Sequence, residues 1–341
     1  MGFDQHELAL EEPQEGAKDL QTVNPLDYER VLIFFSGGKD SVACVLHLLE
    51  LGVPKERIEL HHHLIDGREG SELMDWPVTE AYCKAFADAM GIPITFSWKQ
   101  GGFEREMLRN GQPTAPTMVP VGNDMVAIGG EGPVGTRMKF PQLAASLNVR
   151  WCSSYLKIGV GAAYITNNPK FVQGKTLVIT GERAQESASR AKYQTFEPHR
   201  TDNRTGARIK RWIDHWRPVH AWTEQQVWEI IERWRIAPHP CYRLGWGRAS
   251  CMLCIFGSKD QWASAAKIAP KKVIRIVDYE QQFKVTIHRT LSVEQLVAAG
   301  TPYNMDERLI ALAMSTEYNE PIIVENWTLP AGAYGEGCGP T

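Results

Sequence analysis

The sequence has little that would tie it to a membrane, an oxidising compartment or a partner of one charge. No apolar run approaches the roughly 18–20 residues of a membrane span. Cysteines number seven, too few and too odd a total for a disulfide scaffold, yet enough for one four-ligand metal site. Lys+Arg total 37 against Asp+Glu 40, a net charge of −3 with a pI of about 6.4. That balance excludes a wholly basic nucleic-acid coat but leaves a local basic strip open. Internal repeats and low-complexity tracts are also missing. The start lacks the basic and apolar regions of a secretory signal and carries Glu7, Glu11, Glu12 and Glu15 instead. It also lacks the Ser or Thr that a myristoylation signal needs at its sixth position, where His6 stands. A cytoplasmic protein with reduced thiols and no membrane partner is the expectation.

What remains is ordinary globular usage, 43% hydrophobic and 23% charged over 341 residues. That length suits one large domain or two modest ones. Residues 1–29 read as an acidic, loosely held arm. Residues 30–35 (RVLIFF) form a short apolar run ending in Ser-Gly-Gly, the pattern of a buried parallel strand. Residues 39–51 have helical spacing. Strands follow at 57–65 and 93–98, with a helix to about Met90 between them, capped by Asp75. This alternation predicts an α/β fold with a parallel sheet. Helix is predicted at 155–165 and a strand at 175–180. Capping boxes at Thr223/Gln226, Ser258/Gln261 and Ser292/Gln295 predict a mostly helical C-terminal part over 221–330. A Gly-rich, flexible tail is expected at 331–341.

Residues 110–141 are rich in Gly and Pro and weakly periodic, which predicts an insertion or flexible lid. Gly130-Glu131-Gly132-Pro133-Val134-Gly135 formally matches a dinucleotide fingerprint. Pro133 lies inside it and no strand–helix pair flanks it, so it is set aside.

The sharpest motif is Ser36-Gly37-Gly38-Lys39-Asp40-Ser41, between the first strand and the first helix. Two glycines let backbone N–H groups approach an anion, and the helix dipole points at the same place. Ser36 and Ser41 add hydroxyls and Lys39 a charge. The set makes a pyrophosphate cradle without the Walker A spacing.

This hexapeptide resembles the PP-loop ATP pyrophosphatase superfamily, within it the phosphoadenosine phosphosulfate (PAPS) reductase-like branch. The resemblance spans about residues 30–257. Further stretches carry it: His61-His62-His63-Leu64-Ile65-Asp66-Gly67, then Gly181-Glu182-Arg183-Ala184-Gln185-Glu186-Ser187 with Ser189-Arg190, and Trp216-Arg217-Pro218-Val219. It implies a PP-loop (adenine nucleotide alpha-hydrolase-like) domain over 30–220. It also implies ATP with Mg²⁺ at residues 36–41, with His63, Asp66, Gly181, Glu182 and Ser187 in the nucleotide site. Lys39, Asp40, Arg183 and Arg190 would be the catalytic groups around the phosphates.

Cys241, Cys251 and Cys254 form C-x9-C-x2-C, and Cys152 opens a segment ending in Lys157. Four thiolates can hold a [4Fe–4S] cluster or zinc. The resemblance favours the cluster, because iron–sulfur members carry a cysteine segment ending in lysine and a later CxxC. Cys44 and Cys83 read as core thiols. Cys338 lies in an altered version of the reductases' Glu-Cys-Gly tail, with Gly337 intervening.

Between Arg190 and Arg217, basic residues including Arg200, Arg204, Arg208 and Lys210 interleave with Tyr193, Phe196, Trp212 and Trp216. This suits a nucleic-acid backbone, and equally a solvated surface over core aromatics. The expected function is ATP-dependent sulfur transfer to DNA. It is similar to that of the PP-loop component of bacterial DNA phosphorothioation systems, with a cysteine desulfurase and other modification subunits as partners. A PAPS or adenylylsulfate reductase and a non-catalytic nucleotide-binding subunit are the alternatives.

Overall fold

The computed structural model describes residues 23–144 and 146–335. The acidic residues before 23 and Cys338 lie outside that range. In chain order the elements are β1 (Arg30–Phe34), α1 (Lys39–Glu50), β2 (Ile58–Leu64), α2 (Thr79–Met90), β3 (Ile94–Lys99), α3 (Gly102–Met107), β4 (Thr117–Val121) and β5 (Asp124–Ile128). There follow α4 (Trp151–Ser153), which runs through a wide turn at Ser154–Ile158 into α5 (Gly159–Asn167), then β6 (Lys175–Ile179), β7 (Phe196–Pro198) and β8 (Trp212–Trp216). Six helices close the chain: α6 (Glu224–Arg233), α7 (Pro240–Arg243), α8 (Lys259–Ile268), α9 (Pro270–Phe283), α10 (Val293–Ala299) and α11 (Glu307–Ala313).

One eight-stranded sheet, ordered β5-β4-β3-β2-β1-β6-β8-β7, spans the molecule. Strands β3, β2, β1, β6 and β8 are parallel, and antiparallel strands close both edges. Val31, Leu32 and Ile33 of β1 are wholly buried, because helices cover both faces of the sheet there. One face carries the main core under α1 and α2 and continues beneath the C-terminal helices through Trp228, Trp246 and Trp262. Leu32, Val178 and Ile213 face the other way, under Tyr164 and Ile165 of α5.

Element type is set locally in several places. All three predicted capping boxes form, at Thr223, Ser258 and Ser292. Helix α2 starts at Thr79 rather than directly after Asp75. The Asp75 carboxylate instead accepts from the Trp76 N–H at 2.8 Å. Within 110–141 the chain forms the β4–β5 hairpin, turned at Gly122 with φ 62°. No helix among the described residues is long and apolar enough to cross a membrane.

Strands β1, β2 and β3 step outward in one direction. The chain then returns to place β6 on the other side of β1. The carboxyl ends of β1 and β6 therefore flank a topological switch point, where open α/β sheets form their ligand crevice.

Candidate functional site

Two turns meet at this switch point. After β1, residues 36–41 fold into a closed loop, with Gly37 at φ +76°. A Cβ there would sit 3.0 Å from the Cys83 sulfur and 3.3 Å from the Tyr82 ring, so only glycine fits without strain. The Ser36 Oγ accepts from the Gly38 N–H, and the Ser41 Oγ donates to the Gly38 carbonyl at 2.8 Å. After β6, a Cβ on Gly181 would lie 2.9 Å from the Asp40 carbonyl, so this turn packs directly on the start of α1.

The two turns open into a cavity of about 640 Å³, the size of a small-molecule site. Of the predicted nucleotide-site and catalytic residues, Ser36, Gly38, Asp40, Ser41, His63, Gly181, Glu182 and Arg190 line it. Gly37, Lys39, Asp66, Arg183 and Ser187 do not.

Each of those five has a physical reason to be elsewhere. Gly37 shapes the turn. The Lys39 side chain is 3% exposed and turns back into the protein, donating to the Gly247 carbonyl at 2.9 Å and pairing with Glu224 at 3.2 Å. Its backbone N–H donates to the Tyr242 hydroxyl at 2.9 Å. Arg183 is buried and donates to Asp40 at 2.5 Å. Burial alone would raise the Asp40 carboxyl, but Lys39 and Arg183 outweigh it and hold its pKa below the usual value. Asp66 accepts from the Met74 and Asp75 N–H groups at 2.9 and 2.8 Å, which ties down the loop after β2. Ser187 accepts from the Arg190 N–H at 3.2 Å.

The histidine run splits as strand geometry requires. His61 and His63 share one face, their rings 5.3 Å apart. His61 stacks on Tyr164 at 3.7 Å, and its Nδ1 meets the Thr95 hydroxyl at 2.7 Å. His63 borders the cavity beside Phe34, and burial lowers it to about 3. Its Nε2 is shielded from solvent and has no hydrogen-bond partner among the described residues.

Sequence reasoning did not single out several lining groups. Arg150, Arg248, Tyr242, His199 and His215 all border the cavity. Arg150 directly precedes Trp151-Cys152, and Arg248 sits in the gap between Cys241 and Cys251. Both were hidden beside the cysteine motif. The Thr180 hydroxyl meets His215 Nε2 at 2.7 Å and also contacts Glu182.

Of the four cysteines expected to ligate a cluster, Cys152 and Cys251 lie within electrostatic reach of Cys254, and Cys241 sits apart from them in the core. Cys241 is wholly buried in the main core, its thiol directed at the Arg248 carbonyl 3.9 Å away. Cys254 lies close enough to act electrostatically on Cys152 and on Cys251. Burial raises the Cys241 and Cys251 thiols well above their usual value and Cys152 to about 11. Among the described residues no group of three or more His, Cys, Asp or Glu could hold a metal ion. A cluster held by four cysteines needs all four thiolates at once, and Cys241 would have to join the other three to complete the set.

The basic stretch divides in two. Arg190, Arg200 and Arg217 border the cavity. Arg204 lies toward the opposite end of β8. It pairs with Asp202 at 2.8 Å and Asp214 at 2.5 Å, its guanidinium 4.4 Å over the Trp212 ring. Its charge is spent on the fold.

Residues 145–256 match the model of the phosphoadenosine phosphosulfate reductase domain. That stretch, about a third of the chain, is similar to the PAPS reductase domain, in keeping with the resemblance drawn from the motifs at residues 181–190 and 216–219. It supplies the cavity wall that faces the glycine loop. An uncharacterized 37.8 kDa protein of Escherichia phage 186 is 24% identical over 269 residues, spanning 73% of this chain and 74% of its own. Among solved structures, the FMN adenylyltransferase of Candida glabrata aligns at 10% identity and a TM-score of 0.31, covering 65% of this chain and 53% of that one. The same enzyme in complex with ATP aligns at 13% identity and a TM-score of 0.32, over 68% and 55% of the two chains. The match thus spans about half the length of that enzyme.

Proposed function

We propose that the protein binds ATP with its phosphates at the loop of residues 36–41 and transfers AMP to a phosphate oxygen. That oxygen is then replaced by sulfur, with a DNA backbone phosphate as the acceptor. The observation that carries this reading is the cavity itself. A glycine-rich loop at the switch point opens into a space bordered by Arg190, Arg200, Arg217 and Arg248 on the PAPS reductase-like wall.

The loop's remaining N–H groups and the start of α1 would hold the departing pyrophosphate. Mg²⁺ takes one or two carboxylates plus substrate phosphates, and Asp40 and Glu182 border the cavity as candidates. When bound, the ion would neutralise charge on the phosphates. Arginines of the facing wall would stabilise charge on the acceptor phosphate in the transition state. In the first step an acceptor oxygen bonds to the α-phosphorus and pyrophosphate leaves. In the second, the outer sulfur of a persulfide carried by a cysteine desulfurase partner forms the phosphorus–sulfur bond and AMP leaves; a thiol reductant then cleaves the remaining S–S bond, freeing the phosphorothioate and the partner's cysteine.

The family match favours a second reading, a PAPS or adenylylsulfate reductase. Product analysis separates the two. Pyrophosphate and AMP formed from ATP in the presence of DNA support sulfur transfer. Sulfite formed from PAPS with a thiol reductant would replace that reading by the reductase.

A further inference from the structure

Two guanidiniums at the cavity's edge are matched by carboxylates of their own. Arg183 has Asp40, and Arg217 has Glu182 and Glu197. Arg150, Arg190 and Arg248 have no carboxylate each to themselves. Arg190 and Arg248 share one carboxylate, Glu186, with the Arg248 contact at 3.6 Å. The Glu186 carboxylate also accepts from the Arg183 N–H at 2.9 Å. Arg150 has no ion pair among the described residues. Its Nε is shielded from solvent and makes no hydrogen bond among the described residues. Its guanidinium lies 5.9 Å over the Phe256 ring, an apolar support that adds no counter-charge. Arg190 and Arg248 both act on it repulsively. Arg190 is also attracted by Glu182, which Arg217 shares, so the three guanidiniums have one directly paired carboxylate, Glu186, among them where they face the cavity that the glycine loop also borders.

Such crowding is costly without an anion. A shielded, unpaired guanidinium donor is a strong site for a tetrahedral oxyanion, which it can grip through charge-assisted bonds. We propose that Arg150, Arg190 and Arg248 form a second oxyanion subsite, separate from the glycine loop, that holds the phosphate or sulfate group of the second substrate. Three segments far apart in sequence build it: the residue before α4, the turn after β6 and the connection between α7 and α8. Arg190 thereby moves from the nucleotide's own phosphates to the acceptor. The inference rests on the proposed function in one respect, that a nucleotide occupies the loop.

The test is isothermal titration of the full chain saturated with α,β-methylene-ATP. Inorganic phosphate is titrated first, then inorganic sulfate and the dinucleotide dTpT in separate runs. Phosphate should bind the nucleotide-loaded protein. Arg150→Gln and Arg248→Gln should each weaken it by about tenfold or more, the scale of a lost charge-assisted bond. Arg150→Lys, which keeps the charge, should recover part of the loss, and this guards against a variant that merely misfolds. Preference for dTpT over sulfate would mark a phosphodiester acceptor; the reverse would mark a sulfate-bearing one. Competition between phosphate and the analogue would overturn the proposal, as would unchanged phosphate binding in Arg150→Gln. If the analogue itself fails to bind, the loop reading falls. Phosphate binding to the free protein, with the same variants, then still decides the triad.

Discussion

The position of Lys39 gives a prediction that separates two readings of the loop. A phosphate-contacting lysine would leave the fold intact when removed and abolish turnover. In the structure, Lys39 is a strut joining the start of α1 to the segment after α7. Burial alone would lower its pKa, but Tyr242, Asp40 and Glu224 more than offset this, so the ammonium stays charged. Lys39→Met keeps the apolar stem and removes the charge. Losing the charged hydrogen bond to the buried Gly247 carbonyl should cost about 1.5–3 kcal/mol. The Glu224 pair adds at most about 1 kcal/mol, because that carboxylate is 23% exposed and water can take over. At roughly 2.1 cal/mol/K per residue, a chain of 341 residues shifts by about 1.4 °C per kcal/mol. A destabilisation of about 2–4 kcal/mol therefore lowers Tm by about 3–6 °C. Calorimetry at pH 7.5 reads that shift, with pyrophosphate release assayed on the same preparation. An unchanged Tm together with lost turnover would refute the strut and return Lys39 to the phosphates.

Two further substitutions probe the same region. Gly37→Ala forces an L-residue into φ +76° beside the Cys83 sulfur, which should cost about 1–2 kcal/mol and weaken nucleotide binding; a wild-type Tm and affinity would show that the turn has another shape. Burial, with Asp66 alongside, raises Asp75 to about 6. The folded state then holds a proton that the unfolded chain releases near pH 3.8, so this contribution to stability is lost as pH rises from about 4 to about 6. Asp75→Asn should be more stable than wild type by up to about 3 kcal/mol at pH 7–8, with the difference closing below pH 4. Thermal melts across that range check it, and a difference independent of pH would remove the titration from the account.

What the sequence showed and what it hid follow a physical pattern. The glycine loop, the β1–β3 run and the three capping boxes are written in local residue types, and each appears where the spacing places it. Strand β8 was hidden because it carries Asp214 and His215 on a buried strand, against any apolar pattern. Both are satisfied by specific side-chain partners, several of them distant in sequence. Asp214 accepts from the Tyr28 hydroxyl at 2.9 Å, the Trp212 indole at 2.8 Å and Arg204, while His215 meets Thr180. Basic and aromatic residues that read as a nucleic-acid strip are in part the counter-charges and packing of that strand. The β4–β5 hairpin had a cue in Gly122-Asn123, a two-residue turn type, which the surrounding Gly and Pro masked.

The hardest feature to read was adjacency. Residue types place Arg183 and Arg190 after a strand and Arg150 and Arg248 beside cysteines. Nothing local says that β6 returns to lie against β1. That single pairing brings the turn at Gly181 onto α1, turns Arg183 toward Asp40 and leaves Arg190 facing Arg248 across Glu186. The sequence therefore predicts which chemical groups are available, while the crossover decides which are consumed by the fold and which stay free for a ligand. Lys39 and Arg183, the most conspicuous cations by motif, are both neutralised inside the protein. Arg150, which no motif marked, has no carboxylate within ion-pair distance among the described residues, and it should therefore respond to an added anion more strongly than either.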